Sequence, residues 1–423
     1  ASMLIDKDIN GIRFVADKSE DVHSATIGVW VKAGSVYEDE ANNGISHFIE
    51  HMLFKGTKNR NYKQIAEDID NIGGQINAFT AKECTCYYAK VIDEHQDIAA
   101  DVLFDMISNS IFPDEEMNKE KGVVLEEIAM SNDTPDDVSS ELINSTFFRN
   151  TPLEKTILGP AKTVSSFTRQ DIADYMAKRY TKKNIVVAAS GNVNIELISE
   201  MIEKKLIVSD KKIEDKEGEY TIKSGKFAVV KKDIEQVHIS MGLPGYAFTD
   251  KRKYAASVVN NVFGGTMSSR LFQIIREELG MAYSVFSYPM VYMHGAMTTI
   301  YAATNAQNAP RAAQEIVKEI ERLRREGISE KELKNSKEQL RGSFILSREG
   351  TSAKMNFIGK NALLTGKVLT ERDVLNSLAN VTMADVEEVI DYVMDHSKLT
   401  ATYVGAIKDE ELLRSATDLQ RSF

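Results

Sequence analysis

The chain has 423 residues, 43% hydrophobic and 27% charged, ordinary proportions for a globular protein too long for one core. Its net charge of −11 argues against nucleic acid and anionic membrane as partners, since both demand clustered Lys/Arg, and no apolar run is long enough to span a bilayer. Cys84 and Cys86 are the only cysteines, and ASMLIDKDIN lacks the basic and apolar regions of a signal peptide, so a reducing, cytoplasmic setting is expected.

In chain order, SATIGVWVKAGSVYE (24–38) reads as a strand region. NNGISHFIEHMLFKG (42–56) reads as a helix capped by Asn and ended by Gly56, and NYKQIAEDIDNIGG (61–74) as a second helix stopped by Gly73 and Gly74. QINAFTAKECTCYYAKVI (75–92) has the aromatic and threonine content of strands. EHQDIAADVLFDMISNSIF and PDEEMNKEKGVVLEEIAMSND follow as helices, the latter opening on Pro113. IVVAASGNV (185–193) is a later strand. The polar, charged SDKKIEDKEGEYTIKSGK (209–226) reads as a linker between domains at 1–208 and 227–423.

Those domains repeat each other. LFKGT (53–57) has an echo in VFGGT (262–266), MNKEKGVVLEEI (117–128) in LKNSKEQLRGSF (333–344), and FTRQDIADYMAKRY (167–180) in VTMADVEEVIDYVM (381–394). The three matches keep their order with nearly constant offset, which indicates duplication of a domain of roughly 210 residues. Strands mixed with gathered helices favour an α+β fold: two homologous domains, each a mostly antiparallel sheet with helices on one face.

The segment HFIEH (47–51) carries the chemistry. On a helix His47 and His51 project from one face a turn apart, a spacing that suits two ligands of one zinc ion. Glu50 lies within reach of a metal-bound water, whose proton it could take during attack on a carbonyl. A solvated helix with two histidines is the competing reading, and a third ligand separates the two. Glu120 and Glu127 are candidates, seven apart and so on one helical face, with Glu126 competing with Glu127. Val123 and Val124 near the same rows imply that this face meets the core, where a carboxylate needs a partner.

HFIEH followed by the E-x6-E of Glu120 and Glu127 resembles the pitrilysin/insulinase family of zinc peptidases (inverzincins), in particular its short two-domain branch with mitochondrial processing peptidase and its bacterial relatives. The resemblance implies His47, His51 and Glu127 as ligands of one Zn2+ per chain, Glu50 as general base, and Glu120 as a supporting carboxylate. It further implies that GGQINAFTAKECTCYY (73–88) contains an edge strand binding extended peptide through Gly74, Asn77, Ala78, Phe79 and Thr80. Arg276 and Tyr283, in SSRLFQIIREELGMAYSVFSY, match a pair that holds substrate and stabilises the oxyanion.

Through the repeat, HFIEH falls on ASVVN (256–260), and Glu120 and Glu127 on Ser336 and Ser343, so the second half has lost the metal site. The resemblance implies an endopeptidase that cuts unfolded peptides inside a chamber of four domains. A homodimer is the expected assembly and a heterodimer with a relative the alternative. The second functional reading is an inert assembly or peptide-binding subunit of the same fold. Elemental analysis tests the sequence reading: about one zinc per chain is expected in wild type and little in His51→Ala.

Overall fold

The structure, a computed structural model, describes residues 2–418. Asn10-Gly11, both at positive φ, makes the tight turn of a hairpin between β1 (Ser2–Ile9) and β2 (Ile12–Ser19). This hairpin, unread in the sequence, opens a six-stranded sheet completed by β3 (Ser24–Val31), β4 (Gln75–Thr80), β5 (Thr85–Ile92) and β6 (Ile185–Gly191). The strand order is β1-β2-β6-β3-β5-β4, with β2 and β6 parallel and every other pair antiparallel.

A five-stranded sheet contains β7 (Phe227–Lys231), β8 (Gln236–Pro244), β9 (Ser284–Val291), β10 (Ala296–Asn305) and β11 (Thr400–Gly405). Its order is β7-β11-β8-β10-β9, again with one parallel pair, β7 and β11. Without the β1 strand, the first sheet has this same order and sense, so the duplication read from three sequence echoes extends to the topology. The helices Arg169–Arg179 and Met383–Val393 even keep matching capping boxes, Thr168 with Asp171 and Thr382 with Asp385.

Two compact units result, each assembled from separated stretches of chain. The first comprises the chain up to Ala129, Lys155–Lys216 and Ile345–Glu371. The second comprises Met130–Glu154, Glu217–Phe344 and the chain from Arg372 on. Residues 209–226 carry no helix or strand, but each half of the chain contributes a helix to the unit that holds the other half's sheet.

The composition of β3 shows why. Ala25, Ile27, Val29 and Val31 alternate onto the face that forms the main core with Phe48, Ile49, Leu103 and Phe104. Thr26, Gly28 and Trp30 alternate onto the opposite face, where the helix Thr351–Thr365 packs. There Thr26 and Thr351 share a hydrogen bond of 2.8 Å between hydroxyls, and the Trp30 indole N–H donates to Met355 Sδ at 3.2 Å. A Cβ on Gly28 would stand 2.6 Å from Met355 Sδ, so the absence of a side chain permits the close approach. Covered on both faces, β3 is buried almost throughout.

The second unit repeats this device. The helix Pro135–Phe147 packs on β8 and β11, Ser139 Oγ and Ser240 Oγ lie 2.9 Å apart, and Gly242 makes room for Phe147. The main helical layer therefore lies on one face of each sheet, and a single helix from the other half of the chain closes the second face.

Among the described residues no helix is long and apolar enough to cross a membrane. Gly359 faces Trp30 so closely that any Cβ would collide with the indole. Gly359→Leu is therefore expected to destabilise the first unit by about 1–3 kcal/mol through overpacking. Differential scanning calorimetry would show its transition lowered by about 2–4 °C per kcal/mol.

Candidate metal centre

The helix Ile45–Met52 is anchored by its apolar side and offers its polar side to the site. Ile45, Phe48, Ile49 and Met52 are buried in the first core. Gly44, at φ +102, precedes the helix, and no side chain of Asn caps it as the sequence suggested. Glu38 takes that role from outside the helix. Its Oε1 accepts from Gly44 N–H at 2.8 Å and from Asn43 Nδ2 at 3.0 Å, and its Oε2 accepts from Ser46 N–H at 2.9 Å. A buried carboxylate on the exposed N–H groups also complements the positive end of the helix dipole.

The helix Asp114–Asp133 brings the carboxylates. Glu120 and Val124 are buried and Glu127 is half-buried, so positions 120, 124 and 127 form the inward row. Val123, expected on that row, is exposed, as is Glu126. His47 Nε2 lies 3.4 Å from Glu127 Oε2, and His51 Nε2 lies 3.0 Å from Glu127 Oε1. Together the three side chains offer ligand atoms within 4.8 Å of one another. Tetrahedral bonds of the length zinc makes to nitrogen and oxygen place ligand atoms about 3.3 Å apart, so these separations fit one zinc ion.

On its other side the His51 ring meets Glu120: Nδ1 lies 2.9 Å from Oε2. A carboxylate can only accept, so Nδ1 donates to Glu120, and Nε2 is the nitrogen turned toward Glu127 and left to serve as a metal ligand. Glu120 Oε1 is in turn 3.1 Å from Lys55 Nζ. Among the described residues, His47 Nδ1 is buried with no such partner.

Burial, and then the neighbouring His51, push the His47 pKa down to about 4, so its ring is neutral at physiological pH. Burial works in the same sense on His51, but the Glu120 hydrogen bond and the charges of Glu127 and Glu50 prevail and raise its pKa. Glu120 is held below its ordinary value because its bonds to His51 and Lys55 outweigh burial. Glu50 is raised, chiefly by burial and also by Glu127, against the opposing effects of His51 and a 3.2 Å hydrogen bond from Thr80 Oγ1. A carboxylate with a raised pKa is a better proton acceptor than an ordinary one.

Thr80 ends β4, the edge strand of its sheet, so the open edge runs up to Glu50. The Ala78 N–H bonds its neighbour's side chain, Asn77 Oδ1, at 2.8 Å and so points away from β5. By strand alternation, Ile76, Ala78 and Thr80 present backbone groups at the open edge, whereas Asn77 and Phe79 turn theirs to β5. Of the five residues expected to bind peptide through the backbone, Ala78 and Thr80 thus face outward, whereas Asn77 and Phe79 do not. Gly74 sits against Val91 and Ile69, a packing position. Cys84 and Cys86 are buried free thiols, and burial raises both pKa values.

Arg276 and Tyr283 belong to the second unit, where the guanidinium lies 5.1 Å from the Tyr283 ring and Tyr283 is 78% exposed. At the repeat's counterpart of the metal centre, uncharged groups bond to each other. Asn261 Nδ2 donates to Ser336 Oγ at 3.1 Å and to Gln339 Oε1 at 2.7 Å, and Ser287 Oγ donates to Asn260 Oδ1 at 2.7 Å. Sequence reasoning did not single out Glu38 or Lys55. A signal for Lys55 was present, since LFKGT and VFGGT differ at that position.

Comparison with known proteins gives the family and the fold. The profile of the insulinase family (peptidase family M16) matches residues 13–161, and that of the peptidase M16 inactive domain matches residues 166–340. The uncharacterized zinc protease YmxG of Bacillus subtilis is 44% identical over 381 residues, 89% of this chain and 92% of its own length. An uncharacterized zinc protease of Streptomyces coelicolor is 36% identical over 412 residues, 96% of this chain and 90% of its own. Two solved structures share the fold. A protease from Helicobacter pylori has a TM-score of 0.89 at 22% identity, with 96% of this chain and 99% of that one covered. Complex III2 from Candida albicans gives 0.84 at 18%, covering 98% and 100%.

Substitution separates the two adjacent glutamates. After dialysis against micromolar zinc, Glu127→Gln is expected to retain far less than the about one zinc per chain kept by Glu126→Gln. The reverse pattern by elemental analysis would exchange their roles.

Proposed function

As the chain belongs to the insulinase family, peptidase family M16, we propose that it is a zinc-dependent endopeptidase acting on unfolded peptides or unstructured segments. The observation that carries this reading is the convergence of His47, His51 and Glu127 beside a half-buried Glu50, at the end of an open strand edge. His47, His51 and Glu127 would hold the zinc ion, which when bound would supply Lewis-acid chemistry for the scissile carbonyl and for a water near neutral pH.

The chain's own residues do the rest. An extended peptide adds to β4 through the outward backbone groups of Ile76, Ala78 and Thr80, which accept a chain of almost any sequence. Forming those bonds requires the Ala78 N–H to leave its Asn77 cap. Glu50 takes a proton from the attacking water and delivers it to the leaving amine as the C–N bond breaks. Thr80 Oγ1 holds Glu50 oriented for that transfer. Glu120 fixes the His51 ring. The family resemblance gives Arg276 and Tyr283 the parts of substrate clamp and oxyanion donor. It also gives the assembly: a homodimer enclosing a chamber of four domains, open to unfolded chains and closed to folded ones.

Glu50→Gln is expected to keep zinc and thermal stability while losing hydrolysis of a quenched fluorogenic peptide by about 10²–10⁴-fold, the usual contribution of a general base. Undiminished hydrolysis would remove Glu50 from that role. Tyr283→Phe is expected to lower turnover and leave metal content unchanged.

A further inference from the structure

Lys55 stands in the turn after the helix Ile45–Met52, four residues beyond His51. Its ammonium lies 3.1 Å from Glu120 Oε1, while Oε2 of the same carboxylate takes the His51 Nδ1 hydrogen bond at 2.9 Å. We propose that Lys55 is a positioning residue for the metal centre. It acts through Glu120 to hold the His51 ring in place, with Nδ1 bonded to Glu120 and Nε2 turned toward Glu127, where a divalent cation would be held. The inference rests on the metal-site reading above.

The Glu120 side chain is only 7% exposed. A carboxylate so far out of water needs a donor on each oxygen, and one left unpaired favours rotation toward solvent. His51 satisfies one oxygen and Lys55 the other, so the carboxylate plane is fixed from both ends. Without the lysine, Oε1 has no donor, and nothing aims Oε2 at Nδ1. The ring is then free to turn, and Nε2 loses its fixed aim as a ligand. Tyr62, its ring 5.7 Å from the Lys55 ammonium, lines the other side of the lysine.

The duplicated unit supplies an internal control. In the echo of LFKGT and VFGGT, Lys55 falls on Gly264, while Glu120 falls on Ser336 and His51 on Asn260. The strand order is retained there without a lysine, so the fold itself does not call for one. Gly264 is also packed against Ser287, with no room for any side chain. Lysine, glutamate and histidine occur together in one unit and are replaced together in the other. That is the pattern of a chain of residues serving one site, rather than of a surface ion pair.

The test uses full-length protein stripped of metal, with zinc affinity measured by competition against a chromophoric chelator. Lys55→Met is expected to raise the zinc Kd about 10–100-fold, the range for loss of a partner behind a ligand. Lys55→Arg, which keeps the charge, is expected to recover most of that loss. In a Glu120→Gln background, Lys55→Met should add nothing further. Long-range nitrogen–proton NMR of the metal-free proteins should show a hydrogen-bonded His51 Nδ1–H in wild type that is weakened or lost in Lys55→Met. Lys55→Gln serves as a second neutral variant should the methionine protein not fold. An unchanged Kd, or an equal loss in both backgrounds, would overturn the proposal. A wild type that binds no zinc, yet whose His51 Nδ1–H bond still depends on Lys55, would sink the metal reading and leave the Lys55–Glu120–His51 chain standing.

Discussion

Two imidazoles and two carboxylates, buried or half-buried, are held close to one another, and much of the first unit is arranged around that fact. Such a cluster is costly to bury unless each member has a partner, and here the partners come from separate elements. The helix Ile45–Met52 presents His47, Glu50 and His51, and the helix Asp114–Asp133 presents Glu120 and Glu127. Glu38 secures the start of the first helix, and Thr80 on the edge strand meets Glu50. Apolar packing sets the two helices against one core, and the charges then find each other at fixed spacing.

The second unit shows what the same fold looks like without that demand. Its sheet has the same order, but amides and hydroxyls of Asn260, Asn261, Ser287, Ser336 and Gln339 bond where the first unit concentrates charge. Neutral groups satisfy one another at lower desolvation cost than an imidazole–carboxylate cluster. The fold is therefore indifferent to the charges, and their presence in one copy is explained by chemistry rather than by stability. Sites that burden a fold in this way are where function is normally found.

The convergence of His47, His51 and Glu127 was legible in the sequence because ligand chemistry restricts both residue type and spacing. Histidines four apart and glutamates seven apart can share a helical face whatever surrounds them. Helix and strand identities followed the apolar periodicity, and the polar stretch 209–226 carries neither. The less legible features depend on contacts distant in the chain. Nothing near Gly44 announces that Glu38 will cap its helix. Val123 follows the same periodicity as Val124, yet only Val124 reaches the core. The strand sequence TIGVW (26–30) does hold a trace of the missing layer, since a sheet face carrying Thr26, Gly28 and Trp30 suits a close-packed helix. Which helix covers it is a matter of topology, which local pattern does not encode. The Asn10-Gly11 turn is different: its signal is local and strong, and it went unread.

The exchange of helices between the two halves also bears on the making of the protein. The last strand of the first sheet ends at Gly191, and the helix that closes its second face begins at Thr351, 160 residues later. At ribosomal speeds of about 5–20 residues per second, that interval lasts roughly 8–30 s. For that time the nascent sheet holds Trp30 and its neighbours without their native cover, long after its strands can pair. The order of synthesis therefore makes the first unit, which holds the His47, His51 and Glu127 cluster, wait for the second half of the chain before it can be finished.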